Sequence, residues 1–278
     1  MKETIRGEEL MALLEELAPR ALACDWDNPG LLVGRGDKEV RTILLTLDVT
    51  DAAVETAIRE HADWILSHHP LIFRPIKQVN DRNFITARIL KLIRADISCF
   101  AMHTNFDAAP GCMADLCADR LGLTQRRPLE FMGELSADTA LGKAGTPYGI
   151  GCTGTLPRPM TARELADAVK TGFGLDHVSL FGEGLTDRPL SRIAICPGSG
   201  GSEIGEALQA GAELFLTGDI SHHEGIDAAA RGMLVMDAGH YGLEHIFMSF
   251  MKDYLQKRLE GSPVRILTMP EQSPITFF

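Results

Sequence analysis

The sequence predicts an α/β fold built as two similar domains, each a mixed sheet flanked by helices. Three observations carry that expectation. Short apolar strands alternate with helical segments of about 10–15 residues along the chain, the pattern of α/β layers rather than a sandwich or a bundle. The length of 278 residues suits two domains, at roughly 150 residues each. A weak internal repeat also emerges when "AICPGSGGSEIGEALQAGAELFLTGD" is slid without gaps over "LLTLDVTDAAVETAIREHADWILSHH", an offset of 150 residues. Apolar positions then coincide at Leu44/Ala194, Leu45/Ile195, Val54/Ile204, Ile58/Leu208 and Leu66/Leu216, and Ala62-Asp63 falls on Ala212-Glu213. Any two βαβ units look somewhat alike, so the repeat supports a diverged duplication without requiring one.

The elements follow in chain order. The opening "MKETIRGEELMALLEELAP" reads as an amphipathic helix, with Leu10, Leu13, Leu14 and Leu17 on one face and Pro19 as its stop. Thr42 to Val49 is a strand, "DAAVETAIREH" a helix and "DWILSHH" a strand. Next come a helix around "NFITARILKLIRA", a strand "DISCFAMHT" and a helix from Met113 to Leu121. The stretch from Arg126 to Pro147, with scattered glycine, proline and charge, is the expected crossing into the second domain. Thr161 and Glu164 form a capping box that opens a helix carrying Leu165 and Val169. "RIAICPGSGGSEIGEALQAGAELFLTGD" is then strand, glycine-rich turn, helix and strand, and "LVMDAGHYGLEH" is a strand entering a last helix. The expected domains are residues 1–126 plus 235–278, and 127–234, the latter as a diverged duplicate if the repeat is real.

Composition narrows the function. A hydrophobic fraction of 45% and a charged fraction of 23% are those of an ordinary soluble globular protein. No apolar run approaches the roughly 18 residues that span a bilayer, and the amino terminus lacks a signal-peptide core. A cytoplasmic location without membrane contact is expected. Six cysteines with no C-x-x-C pair argue against a disulfide framework or a zinc ribbon, and read as reduced, buried small hydrophobes. The net charge of −11 disfavours nucleic acid as a partner, while leaving room for a local basic pocket for a phosphorylated small molecule.

Three clusters rich in histidine and acid stand at strand ends: "LSHHP", "FAMHTNFD" and "LVMDAGHYGLEH". In open α/β sheets ligands bind beyond the carboxyl ends of the strands, so a site is expected there, in the inter-domain crevice. On a strand His68 and His69 would point to opposite faces; in a turn that Pro70 helps impose, both can face separate ions. His103 and Asp107 lie in the loop "HTNFDAAPG", and His240 and Glu244, four apart on a helix, share one face. Imidazole with carboxylate suits Zn, Fe, Mn, Co or Ni better than calcium or magnesium. Two carboxylates and three or more histidines exceed one closed tetrahedral site and suit two divalent ions about 3.5–4 Å apart. Singly, each cluster has a plainer reading: a surface His-x-x-x-Glu pair, an accidental His-His, an aspartate cap. Their coincidence at strand ends carries the expectation.

Further candidates follow another strand end in "GDISHHEG", where Asp219, His222 and His223 lie. His223 is the candidate for substrate contact or proton transfer, or for orienting a ligand, and His103 is a second candidate for moving protons. Asp48, closing "LLTLD", is similar. "CPGSGGSE" reads as a tight turn or an anion cradle; it matches neither G-x-x-x-x-G-K-[ST] nor G-x-G-x-x-G.

In order along the chain, "DNPGLLVG", "LDVTDAAVETAI", "ADWILSHHPLIFRPIK", "HTNFDAAPG", "TGDISHHEGIDAAARG" and "DAGHYGLEH" resemble the Nif-three-like dinuclear metal-centre family, also labelled GTP cyclohydrolase I type 2 homologues. The match extends to the closing "SPITFF" and is least distinctive over 127–190. The resemblance implies that His68, His69, Asp107, His240 and Glu244 bind two divalent metals. Asp107 and His69 would serve one ion, His68 and His240 the other, and Glu244 would bridge, with His103 as a nearby polar group or supplementary ligand. It also implies a homohexameric ring whose sites face an internal cavity. The chain departs from the family at His222, where an aromatic is common, at Cys112, where a second glycine is usual, and in lacking a long inter-domain insertion. Two functions stand. One is a dinuclear metal-dependent hydrolase, of cyclohydrolase or phosphoesterase type, acting on a nucleotide or phosphorylated small molecule. The other is a non-catalytic metal-binding or regulatory ring-forming protein.

Overall fold

In the computed structural model, which describes residues 4–182 and 186–276, the chain divides into two α/β units. The first holds the residues up to Phe106 together with Phe247–Glu271, and the second Asp107–Ile246 together with the residues from Gln272 on.

In the first unit Ile5–Arg6 (β1) pairs antiparallel with Glu39–Val40 (β3). The helix expected from the chain start therefore begins only at Gly7, because Ile5 is drawn into this ladder; Met1, Lys2 and Glu3 lie outside the described residues. That helix, α1 (Gly7–Leu17), buries Leu10 and Leu14 completely. The main sheet has five strands in the order β13 (Arg265–Thr268), β4 (Thr42–Thr46), β5 (Trp64–Ser67), β6 (Ser98–Ala101), β2 (Gly30–Val33). All neighbours run parallel except β2 against β6. Every residue of β4, β5 and β6 is buried, which is why these strands read as continuous apolar runs rather than as alternating ones. Helices α2 (Asp51–Arg59) and α3 (Phe84–Arg94) begin at the caps Thr50 and Asn83, whose side chains accept backbone N–H bonds. Val54, Ala57, Ile89 and Leu92 of these helices share one apolar cluster with Leu44 and Ile65 of the sheet. Each such fully buried large side chain stabilises the unit by roughly 1.5–3 kcal/mol. Helix α10 (Ile246–Arg258) is tied to α1 by the Tyr254 hydroxyl donating to the Leu13 carbonyl at 3.0 Å and by Arg258 on Glu16 at 2.6 Å.

The second unit carries a six-stranded mixed sheet in the order β7 (Thr124–Glu134), β8 (Pro147–Met160), β10 (Leu190–Ser199), β11 (Leu214–Gly218), β12 (Leu234–Asp237), β9 (Ser179–Phe181). Strands β10, β11 and β12 are parallel, and the remaining pairs are antiparallel. The stretch read from sequence as a crossing is mostly the hairpin of β7 with β8; within β7 only Leu129 is buried, so the apolar alternation that marks a strand is missing. The helices are α5 (Met113–Arg120), α6 (Ala162–Phe173), α7 (Ile204–Gln209), α8 (His222–Ala230) and α9 (His240–Glu244), after the short α4 (Thr104–Ala108). The expected capping box is present, Thr161 Oγ1 accepting from Glu164 N at 3.3 Å, and α6 ends on Gly174 in the left-handed conformation.

Two features match between positions that the repeat pairs at its offset. Ile43 lies opposite Trp64 and Ile193 opposite Leu214, both in parallel pairs. Asp63 Oδ2 accepts from the backbone N–H groups of Arg41 and Thr42 at 2.7 and 2.9 Å. Glu213 Oε2 accepts from those of Ser191 and Arg192 at 2.7 and 2.9 Å. In each unit an acid at the entry to the second strand thus clamps the entry to the first.

Candidate functional site

Beyond β5 of the first unit the chain stays paired with its neighbour: His68 N donates to Thr46 O at 3.3 Å and His69 N to Leu47 O at 3.0 Å. Ser67 Oγ closes the turn onto the His69 carbonyl at 2.8 Å. This backbone presents three imidazoles side by side, with ring centroids 5.0 Å apart for His68 and His69, 5.4 Å for His68 and His103, and 5.6 Å for His69 and His103. His68 is fully buried, its ring against Phe106 and Phe247.

Each of these rings is oriented through Nδ1. His68 Nδ1 donates to the Met102 carbonyl at 2.6 Å, His69 Nδ1 meets Asp48 Oδ1 at 2.9 Å, and His103 Nδ1 meets Asp27 Oδ1 at 2.8 Å. With Nδ1 committed to an oxygen acceptor, a neutral ring carries its lone pair on Nε2, the state that a metal or a proton requires. Asp27 is held in turn by Thr104, whose N–H and hydroxyl donate to Oδ2 at 3.0 and 2.6 Å. Burial pushes the Asp27 carboxyl up, but the hydrogen bond and charge of His103 and the bond from Thr104 outweigh it and hold the pKa at about 2.

The second unit has its own cluster beyond β11. Asp219 sits at φ +58°, a conformation unusual outside glycine, and its Oδ2 meets His240 Nδ1 at 2.8 Å. Asp237 ties the two loops together: its oxygens accept from Ile220 N and Gly239 N at 2.9 and 2.8 Å. One turn into α9, Glu244 Oε2 lies 3.0 Å from His240 Nε2, and Glu244 is buried, 3% exposed. The His240 imidazole therefore stands between two carboxylates, an arrangement satisfied by an imidazolium or by a cation shared between Nε2 and Glu244. Space for Glu244 comes from Gly198, at φ +78°, where a Cβ would stand 2.5 Å from Glu244 Oε1. The glycine-rich "CPGSGGSE" thus leaves room for a buried acid, and Gly198 lies within β10 rather than in a turn after it. Gly218 is similarly close-packed, since a Cβ there would strike the backbone of His240.

Within the first unit the structure brings together His68, His69, His103 and Asp48; within the second it brings together His240, Glu244 and Asp219. Asp107, half-buried on α4, lines a cavity of about 270 Å³ with Asp115, Arg126 and Tyr148. His222 and His223 are exposed in the first turn of α8, ring to ring at 5.3 Å, behind a Ser221–Glu224 capping box. Sequence reasoning missed Asp27, Thr104, Asp237 and the role of Gly198. Each lies in a stretch the sequence singles out, Asp27 in "DNPGLLVG", Thr104 in "HTNFDAAPG", Asp237 in "DAGHYGLEH" and Gly198 in "CPGSGGSE", but nothing in the local pattern says which side chain each one meets.

A model of the Duf34/NIF3 (NGG1p interacting factor 3) family matches residues 5–274. The chain is 34% identical over 250 residues to a Lactococcus lactis protein named GTP cyclohydrolase 1 type 2 homolog, covering 89% of this chain and 90% of that one. It is 29% identical over 269 residues to a Clostridium perfringens protein of the same name, covering 97% and 98%. Among solved structures, a Bacillus cereus protein related to NIF3 superposes with a TM-score of 0.89 at 24% identity over the whole of both chains. A Staphylococcus aureus hypothetical protein superposes with a TM-score of 0.84 at 29% identity, covering 98% and 99%. No helix among the described residues is long and apolar enough to cross a membrane.

Proposed function

Because the chain belongs to the Duf34/NIF3 family, we propose that it is a dinuclear metal-dependent hydrolase in which His68, His69, Asp107, His240 and Glu244 hold two divalent ions. One observation carries the reading: His68, His69 and His240 each have Nδ1 bound to an oxygen acceptor, which turns Nε2 into the ligand atom. His68, His69 and Glu244 are side chains able to hold a metal, and imidazole with carboxylate selects Zn, Fe, Mn, Co or Ni. The fit extends to Gly198, whose missing side chain leaves the Glu244 carboxylate its space.

When bound, two such ions supply an activated water at neutral pH and neutralise charge that develops on the substrate. The chain's own residues do the rest. His103 takes up or releases a proton at Nε2, and Asp27 across Nδ1 stabilises the charged ring. His223, exposed on α8, is the second proton carrier. The substrate class is a nucleotide or other phosphorylated small molecule, in line with the name carried by the relatives, and the working form is a cytoplasmic homohexameric ring.

The test is elemental analysis with anomalous scattering on the purified protein, followed by a nucleotide and phosphoester screen with the metal so identified. Two ions per chain are expected, with Asp107→Asn and Glu244→Gln each losing at least one. His103→Asn and His223→Ala are expected to keep both ions and to lose about 100-fold or more in turnover. Metal retention with no variant separating binding from turnover would favour a non-catalytic metal-binding ring. Absence of stoichiometric transition metal would end both readings.

A further inference from the structure

The two units differ where their first parallel strand pair hands over to the next helix. In the second unit the connection from β11 to α8 is three residues, 219–221; in the first the connection from β5 to α3 runs through sixteen, 68–83, with no helix or strand of its own. Connections of this kind usually take about 2–6 residues, and structureless loops beyond about 12–15 residues are commonly binding loops. This one encloses a pocket of about 540 Å³, within the roughly 300–1,000 Å³ typical of small-molecule sites.

The walls have a definite chemistry. Leu71, Ile72, Phe73, Ile76 and Ile85 supply an apolar lining, and Arg74 is the charged group among the lining residues. The loop is basic in an acidic chain: Arg74, Lys77 and Arg82 stand against Asp81 alone, where the whole protein carries −11. Phe73 is 45% exposed and meets Trp26, itself 62% exposed, edge to face at 5.9 Å. Both rings also lie edge-on to His103, each at 6.2 Å. The pocket thus begins at Pro70, directly after His68 and His69, and its aromatic wall reaches the imidazole cluster of the same unit.

We propose that this pocket binds a planar aromatic ring carrying an anionic group, the ring against Phe73, Ile76 and Ile85 and the anion on Arg74. A flat ring matches the exposed aromatic faces and the apolar walls. The guanidinium, exposed and placed in a locally basic loop, matches phosphate or carboxylate. The inference rests on the hydrolase reading above and sharpens its substrate class to a ring-bearing anion, seated in a defined pocket with its reacting part towards the histidines.

The reporter is built in. Trp26 is exposed beside Phe73 while Trp64, the other tryptophan, is fully buried, so a ligand-dependent change in emission reads Trp26. The full-length protein is titrated with guanosine 5′-monophosphate, quinoline-2-carboxylate, guanosine and inorganic phosphate, with calorimetry in parallel. Saturable binding of either ring-bearing anion is expected, the tighter of the two telling phosphate from carboxylate. Guanosine is expected to bind about tenfold more weakly, the loss of one exposed charge-assisted contact, and phosphate alone more weakly still. Arg74→Ala should weaken the anions about tenfold while leaving guanosine unchanged; Ile76→Asp should weaken every ring-bearing probe, with circular dichroism confirming the fold. The proposal is overturned if no ring-bearing probe saturates, or if Arg74→Ala leaves the anion-to-guanosine ratio unchanged. It is also overturned if Ile76→Asp disperses an assembly seen by light scattering while no probe binds, which would assign the face to a second copy of the chain. Metal content measured on the same samples separates the two readings: lost probe binding with both ions retained sinks the pocket alone, and probe binding without stoichiometric metal sinks the hydrolase alone.

Discussion

Replacing Gly198 by alanine tests the buried acid at the second cluster. The backbone there stands at φ +78°, and the added Cβ would lie 2.5 Å from Glu244 Oε1, closer than real Cβ contacts come. Glu244 has little freedom to retreat, being buried and facing His240 Nε2 at 3.0 Å. The left-handed backbone costs a non-glycine residue about 1–2 kcal/mol, and forcing extra volume into a packed site about 1–3 kcal/mol. The sum is about 2–5 kcal/mol, a fall in Tm of roughly 3–9 °C for a protein of this size. Gly205→Ala is the control, since Gly205 lies on α7 with nothing within 4 Å of the added methyl; it should gain up to about 1 kcal/mol. Calorimetric melting gives the stability, and metal per chain measured well below Tm gives the second readout, expected to fall because the displaced carboxylate is a proposed ligand. A Gly198→Ala protein with wild-type Tm and wild-type metal content would refute the reasoning.

Three other expectations rest on single contacts. The Asp27 carboxyl lies at about 2 against an ordinary 3.8, so its ionised form contributes stability that is present above about pH 4 and lost as pH falls through 2. Since that side chain has no exposed surface, the contribution is about 2 kcal/mol; the wild-type-minus-Asp27→Asn difference in unfolding free energy should shrink by that amount on acidification, and a pH-independent difference would contradict it. His61, exposed and at φ +51° just past α2, should give about 1 kcal/mol on replacement by glycine, read by chemical denaturation. Asp63→Asn and Glu213→Gln should each cost about 1.5–3 kcal/mol, with hydrogen exchange rising in the strands of the altered unit; a loss in one variant and none in the other would show that the matched clamps are not equivalent.

Much of the fold was legible because parallel strands buried on both faces leave unbroken apolar runs, as in β4, β5, β11 and the central Ile193–Cys196 of β10. The capped helices α2 and α6 carry their own start signals at Thr50 and Thr161. What escaped lacks local pattern. Strand β7 is mostly exposed, β9 spans only Ser179–Phe181, and β13 joins the first sheet beside β4 after more than 200 intervening residues. At the site, His68-His69 and His240/Glu244 announce themselves by spacing, whereas Asp27 reaches His103 across 76 residues. Nothing periodic links such a pair; only the folded sheet does.

The matched clamps and strand registers support reading the second unit as a diverged copy of the first, and on that reading the divergence is concentrated at the strand ends. The offset that pairs Asp63 with Glu213 also pairs His69 with Asp219 and Asp48 with Gly198. Yet each unit retains a carboxylate–imidazole bond at this edge: His69 with Asp48 at 2.9 Å in the first, His240 with Asp219 at 2.8 Å in the second. The acid follows the first strand of the pair in the first unit and the second strand in the second, where the imidazole comes from helix α9. Gly198, which the offset pairs with Asp48 of the first unit, opens the space that Glu244 fills. The clamp bonds, by contrast, occupy matched positions in both units, Asp63 and Glu213. A strand end asks only that an oriented donor arrive, and the two units meet that requirement with different residues.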